Sequence, residues 1–271
     1  MTDAHCHPFD LLTLLSTPEE ERRKTGTACA ANSCNLKEFE YIEGLSKKAE
    51  EEKAPRLFRC FALHPQLSGG GDYSPDAGLE LLGSLAAEGR LDAVGETGFD
   101  LYDARYRAGE KLQERMFACH LETALRYGLP MVLHVRRAIH KIFPFTNALK
   151  KVPAVIFHSW PGTGGEGEAL LRRGVNVFFS FGTIVLKNHR QAMASVASFP
   201  SDRILLETDA PYQPLRGKAF SSWADLSEIC QGVARLRREA GSLCDTPDDV
   251  EAITTANFYR AFVPKIYHGA R

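Results

Sequence analysis

Met1-Thr2-Asp3-Ala4-His5-Cys6-His7 opens the chain and reads as a short strand that closes on two histidines. Side chains alternate along an extended segment, so His5 and His7 share one face and Cys6 takes the other. Two imidazoles converging from one strand make half of a divalent-metal site. The layout recurs along the chain: a short apolar run ends, and a longer amphipathic stretch follows. The runs predict strands over 2–6, 27–31, 56–63, 91–94, 130–134, 152–158, 175–180 and 204–207. Helical patterns cover 36–52, 77–88, 107–127, 139–150, 165–173 and 189–198, and helices over 223–240 and 247–262 finish the chain. Eight strands, each trailed by a helix or a long loop, predict an α/β fold of the (β/α)8 TIM-barrel kind, with a doubly wound open sheet as the runner-up.

The 271 residues suit one barrel, and no Gly/Ser-rich linker or shift in composition divides them, so 1–271 reads as a single domain. An apolar fraction of 44% and a charged fraction of 25% are those of an ordinary globular protein. No apolar run approaches the roughly 20 residues of a membrane helix, and the N-terminus lacks a secretory layout. No membrane association is expected. The seven cysteines are scattered without C-x-x-C spacing, which favours reduced thiols and a cytoplasmic setting. A formal net charge of −1 gives no global attraction to polyanions, so a nucleic-acid partner would need local basic loops and bound metal. Gly69-Gly70-Gly71, with Asp72 and Pro75 beyond it, reads as a mobile loop, and Gly162-Thr163-Gly164-Gly165 as a turn entering a helix. Neither run matches a phosphate loop, so no nucleotide cofactor is expected.

The chemistry collects at the C-terminal ends of the predicted strands. His5 and His7 end the first, His64 the third, His134 the fifth and His158 the sixth. Glu96 follows the fourth, and Glu207 and Asp209 close the eighth. In a barrel these ends share one rim, where active sites are built, so residues far apart in sequence meet around one volume. Any one of these residues alone has a bland explanation: a hydrogen-bonded strand-end histidine, a solvated turn glutamate, a turn or cap aspartate. Together they form a mixed nitrogen and oxygen donor set suited to zinc, manganese or similar ions.

Asp3-Ala4-His5-Cys6-His7, Gly95-Glu96-Thr97-Gly98-Phe99-Asp100, Pro130-Met131-Val132-Leu133-His134-Val135-Arg136 and Leu206-Glu207-Thr208-Asp209-Ala210-Pro211 resemble, in order, the motif series of TatD-type metal-dependent deoxyribonucleases. That family belongs to the amidohydrolase-like barrels, and the likeness runs on to Thr255-Ala256-Asn257-Phe258-Tyr259 in the last helix. The resemblance implies a metallo-dependent hydrolase in which His5, His7, Glu96, His134, His158 and Asp209 are metal ligands. Three departures bear on substrate preference: Gln66 replaces a histidine in Ala62-Leu63-His64-Pro65-Gln66, the sixth-strand segment reads His158-Ser159-Trp160-Pro161-Gly162, and His120 stands where a second glutamine is usual.

On that basis two divalent ions (Mg, Mn or Zn) are expected, with His5, His7, Glu96 and Asp209 on one and Glu96, His134 and His158 on the other. Glu96 bridges them, and Asp209 accepts the proton of the attacking water. Arg136 is expected to hold a phosphate oxygen, and His64 to orient the phosphate or serve a further metal position. Glu207 is expected to fix a histidine tautomer, with a third-metal role as its alternative. The implied substrate is DNA. Lys150-Lys151, Arg172-Arg173 and Lys187-Asn188-His189-Arg190 are candidate backbone contacts, and Trp160, Phe99, Tyr102 and Tyr212 candidate stacking partners. The alternative keeps the barrel and metals but hydrolyses an ester or amide, such as an aminoacyl-tRNA ester or a lactone. A bridging Glu96 argues against deamination, and a non-catalytic scaffold would be expected to have lost ligands that are all present here. The oligomeric state is not readable.

Overall fold

A computed structural model describes residues 1–70, 74–242 and 245–263. Eight strands run parallel in sequence order: β1 Thr2–Cys6, β2 Ala28–Ser33, β3 Leu57–Phe61, β4 Ala93–Asp100, β5 Met131–Arg136, β6 Val155–Phe157, β7 Val177–Phe181 and β8 Ile204–Leu206. Consecutive strands pair from β1 to β8. The remaining seam is joined by backbone bonds from Asp209 N–H to the His5 carbonyl (3.0 Å) and from His7 N–H to the Ala210 carbonyl (2.7 Å). The parallel barrel expected from the sequence is therefore the architecture, and the open sheet is excluded.

Strand alternation sorts the apolar residues into two cores. Ala4, Ala30, Phe58, Cys60, Ala93, Val132, Ala154, Ile156, Phe178 and Leu205 fill the barrel interior. Phe258, Ala261 and Phe262 of the last helix, Pro247–Phe262, join that cluster, so this helix plugs one end of the barrel. The opposite set, including Leu57, Val94, Leu133, Phe157 and Phe179, packs outward against the helices. One end of the cylinder is thus sealed by hydrocarbon, and polar chemistry is left to the other.

Several boundaries differ from expectation. Leu91–Val94 is extended to Asp100, because Gly95 and Gly98 serve close strand approach rather than a turn. Arg107–Tyr127 is split into Ala104–Ala108 and Glu110–Tyr127 at Gly109, which lies against Ser68 where a Cβ would sit 2.5 Å from its carbonyl oxygen. The pattern over 139–150 is broken into short turns around Pro144, which has no N–H to donate, and only Thr146–Leu149 is α-helical. Two unexpected helices, Pro8–Leu11 and Pro18–Lys24, lie between β1 and β2, each starting on a proline. Gly162-Thr163-Gly164-Gly165 does enter a helix, with Thr163 and Glu166 forming a reciprocal cap. Of the glycine-rich loop, Gly71 and Asp72 lie outside the described residues, as does Cys244. Among the described residues no helix is long and apolar enough to cross a membrane.

Candidate metal centre

The alternation that fills the barrel also builds the site. Two residues beyond the interior Val132 stands His134, and two beyond Ile156 stands His158. Two beyond Leu205 stands Glu207, and two beyond Ala30 stands Asn32. Each polar side chain occupies the layer above an apolar one, at the end of the barrel that the last helix leaves open. A register shift between Asp3 and Cys6 brings His5 and His7 together, their Nε2 atoms 3.1 Å apart, while Cys6 packs in the outer core.

Glu96 is the hub. A second register shift, between Val94 and Thr97, sets its position within β4. The strand approaches β5 so closely that a Cβ on Gly95 would lie 2.5 Å from that of Val132, and one on Gly98 (φ +140°) would overlap the carbonyl of His134. Glu96 Oε2 faces His5 Nε2 at 3.2 Å and His7 Nε2 at 3.6 Å. Its Oε1 faces His134 Nδ1 at 2.6 Å, His64 Nε2 at 3.3 Å and His158 Nε2 at 3.7 Å. Asp209 Oδ1 lies 3.6 Å from both His5 Nε2 and His7 Nε2. The six expected ligands and His64 are brought together. His64 is not at a strand end: it caps the turn Pro65–Gly69 beyond β3, where its Nδ1 accepts the Gln66 N–H.

A ring of polar groups orients this cluster. Glu207 Oε1 lies 3.2 Å from His158 Nδ1 and accepts the Ser159 N–H at 2.8 Å. Asp100, quoted in the fourth-strand motif without a role, lies 3.2 Å from His134 Nε2 and accepts from Gln66 Nε2 at 2.8 Å. The Asn32 amide meets His5 Nδ1 at 3.0 Å, and Gln213 Nε2 donates to Asp209 Oδ2 at 2.8 Å. His120 accepts the Leu63 N–H and pairs with Thr97, bracing the ends of two strands behind the cluster. Asn32 and Asp100 escaped the sequence reading because their partners come from neighbouring strands and loops that only the folded barrel brings together, whereas Gln213 lies four residues beyond Asp209 in the same loop. The one signal for Asn32 and Asp100 is a polar residue near the end of an apolar strand.

The electrostatics are those of buried carboxylates facing imidazoles. Burial opposes ionisation of Glu96, yet His64, His5, His158 and His134 hold it well below the usual carboxylate range. Burial likewise opposes ionisation of Asp209, and His158 with His7 brings it down to about 2. Burial disfavours an imidazolium at His158, but Glu207, Asp209 and Glu96 lift it to about 10. Burial lowers His5 and His64. Among the described residues, the ion-pair partners of Glu96 and Asp209 are all histidines. The charge on the His158 ring answers only part of these buried carboxylates, and a bound cation would answer the rest. Three donor groups have all their ligand atoms within 4.8 Å of one another: His5 with His158 and Asp209, His5 with His7 and Glu96, and His64 with Glu96 and His134. That nitrogen and oxygen chemistry fits divalent transition metals or Mg²⁺.

A cavity of about 1080 Å³ opens above the cluster. Arg136, the last residue of β5, lines it with Arg137, and Tyr102 and Tyr212 stand on its walls, 45% and 50% exposed. One stacking candidate is corrected: Phe99 is buried against Phe117 and Phe145, away from the cavity wall. Trp160 touches the cavity but is only 2% exposed, packed on Phe157, Phe179 and Phe199. Of the basic clusters, Lys187–Arg190 reaches the cavity, which His189 lines. Lys150-Lys151 and Arg172-Arg173 sit where helices end and lead back to the starts of β6 and β7, away from the open end.

The family model "TatD related DNase" matches residues 2–263. A protein named "Uncharacterized metal-dependent hydrolase TatD" from Mycobacterium tuberculosis is 29% identical, covering 97% of each chain. The "3'-5' ssDNA/RNA exonuclease TatD" of Cronobacter sakazakii is 30% identical over 67% of this chain and 69% of its own length. Among solved structures, YJJV, a TatD homologue from Escherichia coli K12, superimposes with a TM-score of 0.82 at 24% identity, covering 97% of this chain and 98% of that one.

Proposed function

The chain belongs to the TatD-related DNase family, and from that premise we propose a divalent-metal-dependent hydrolase that cleaves the phosphodiester bonds of single-stranded DNA from the 3′ end. The observation that supports it best is the two-sidedness of Glu96, one oxygen turned to His5 and His7 and the other to His134, His64 and His158. A bridging carboxylate suits two ions. In this reading His5, His7, Glu96 and Asp209 would hold one, and Glu96, His134 and His158 the other, with His64 in reach of the second. Such ions, Mg²⁺, Mn²⁺ or Zn²⁺, supply Lewis acidity toward a phosphoryl oxygen and make a nearby water more acidic.

The protein's own groups do the rest. Asp209 is ionised at neutral pH, and Gln213 engages its Oδ2, leaving Oδ1 turned into the cluster to take the proton of the attacking water. Glu207 on Nδ1 of His158 keeps Nε2 of that ring directed at Glu96. Arg136, at the rim, offers its guanidinium to a phosphate oxygen. The reading takes 1–271 as one hydrolase domain, supported by the family match over 2–263. The six described cysteines carry free thiols, which suits a reducing, cytoplasmic setting.

The test is metal analysis coupled to hydrolysis of 5′- and 3′-labelled DNA, RNA and small esters. The expected result is stepwise shortening of 5′-labelled single strands, abolished by chelation and restored by Mg²⁺, Mn²⁺ or Zn²⁺. Full turnover by metal-free protein contradicts the reading. Turnover confined to carboxylic esters or amides selects the alternative substrate class.

A further inference from the structure

The mouth of the cavity is polarised. On the side built by β1 and β2 it is acidic, lined by Asp10, which accepts from the Tyr212 hydroxyl, and by Glu38. Across the ring, where β4 and β5 end, it is basic and aromatic, lined by Tyr102, Tyr106, Arg136 and Arg137. The Arg136 guanidinium carbon lies 3.7 Å from the centre of the Tyr102 ring, and that of Arg137 lies 4.6 Å from it. Arg107 donates to the carbonyls of Leu101 and Tyr102 and so fixes the backbone beneath the ring.

Both Arg136 and Arg137 are exposed, and among the described residues neither has a carboxylate partner. Other arginines of the rim and flanks are paired, Arg105 with Asp103 and Arg115 with Asp76. Two adjacent unpaired guanidiniums repel each other, so holding both on one tyrosine needs an attraction from elsewhere. The ring's π-face provides part of it, and an anion lying over the corner would provide the rest. Arg137 also has a left-handed backbone (φ +55°), which sets its side chain apart from the strand alternation that ends at Arg136.

Resting on the nuclease reading above, we propose that Tyr102, Arg136 and Arg137 form a clamp for the nucleotide next to the scissile phosphate, so that the single strand leaves the centre over the ends of β4 and β5. Tyr102 stacks on a base, which is tolerant of sequence because every base has a π-face, and the two guanidiniums take the flanking phosphates. The acidic wall at Asp10 and Glu38 repels the strand from the other exit.

The experiment is fluorescence anisotropy of a 5′-labelled short oligo-dT with chelator present, which reads binding apart from catalysis, over a series of salt concentrations. Arg137→Ala is expected to weaken binding about tenfold at low salt and to reduce the slope of log affinity against log salt by about 0.7 to 1. Tyr102→Ala is expected to weaken it about tenfold with the slope unchanged, and Tyr102→Phe to keep the wild-type affinity. Both positions are exposed, and matching thermal midpoints check that each variant is folded. Wild-type affinity and slope in Arg137→Ala overturn the clamp, as does a wild type that fails to bind at low salt. The nuclease reading is judged separately. Binding that behaves as expected, with no nucleotide release by metal-loaded wild type, removes that reading and leaves a nucleic-acid clamp.

Discussion

The backbone N–H of Asp209 donates to the carbonyl oxygen of His5 at 3.0 Å, so the two ends of the barrel sheet meet at two residues of the candidate metal centre. Directly beneath them, buried Asp3 accepts from the Thr208 N–H at 3.0 Å, the Thr208 hydroxyl at 2.6 Å and the His5 N–H at 3.1 Å. Closing the sheet and placing the site are therefore one event.

Removing Asp3 tests this. Asp3→Ala leaves two buried N–H groups without partners, each costing about 1–3 kcal/mol, and the expected loss of stability is about 3–5 kcal/mol. Thr208→Val removes the hydroxyl that donates to Asp3 and accepts from the Ala210 N–H, and the smaller loss is expected to be about 2 kcal/mol. Urea unfolding of both variants checks the order. Equal stability of Asp3→Ala and wild type would sink the account of the seam.

Gly98 tests the approach of β4 to β5. An alanine there meets both an unfavourable backbone region and the His134 carbonyl, so Gly98→Ala is expected to cost more than about 3 kcal/mol. Gly26, with φ +64°, has nothing within 4 Å of a built Cβ, and Gly26→Ala is expected to cost only about 1 kcal/mol. Denaturant midpoints separate a packing cost from the conformational one. Similar losses at the two positions would mean that the strands separate easily.

Much of this was legible from residue order, for a geometrical reason. His134 and His158 fall two residues beyond Val132 and Ile156, so the period of an extended chain carries them onto the rim. His5 and His7 were readable in the same way. Glu96 was placed beyond its strand because Gly95 and Gly98 resemble turn residues, whereas their role is to clear space for Val132 and the His134 carbonyl. Trp160 and Phe99 sit beside ligands in sequence but turn into the outer core, which adjacency alone does not reveal. Asp100 and Asn32 act on histidines from neighbouring strands, and no local pattern encodes that.

Proton release on metal binding follows from His158. Held at about 10, the ring is protonated at neutral pH before an ion enters, and ligation requires the neutral form. His7 and His134 are also raised, despite burial, by the bonds to Asp209 and Asp100. Metal binding at pH 7 should thus release at least about one proton, and affinity should rise about tenfold per pH unit for each proton displaced. Calorimetry in buffers of different ionisation enthalpy, repeated at acid and neutral pH, measures both. Affinity that does not change with pH would contradict this charge state.

Asp209 and Glu207 both stand near His158, yet the geometry gives them separable duties. Asp209 turns Oδ1 toward His5 and His7 inside the cluster, while Glu207 reaches His158 from behind through Nδ1. Asp209→Asn keeps the shape and the Gln213 neighbour but loses a proton acceptor, so turnover at saturating metal should fall about 10²- to 10⁴-fold. Glu207→Gln leaves that acceptor in place and weakens only the hold on the ring, so metal affinity should fall about 10- to 100-fold. Added metal should then return most of the turnover to Glu207→Gln and little of it to Asp209→Asn. Metal titrations of activity on both variants decide the matter: equal rescue would show that Asp209 is a ligand alone and that another group takes the proton.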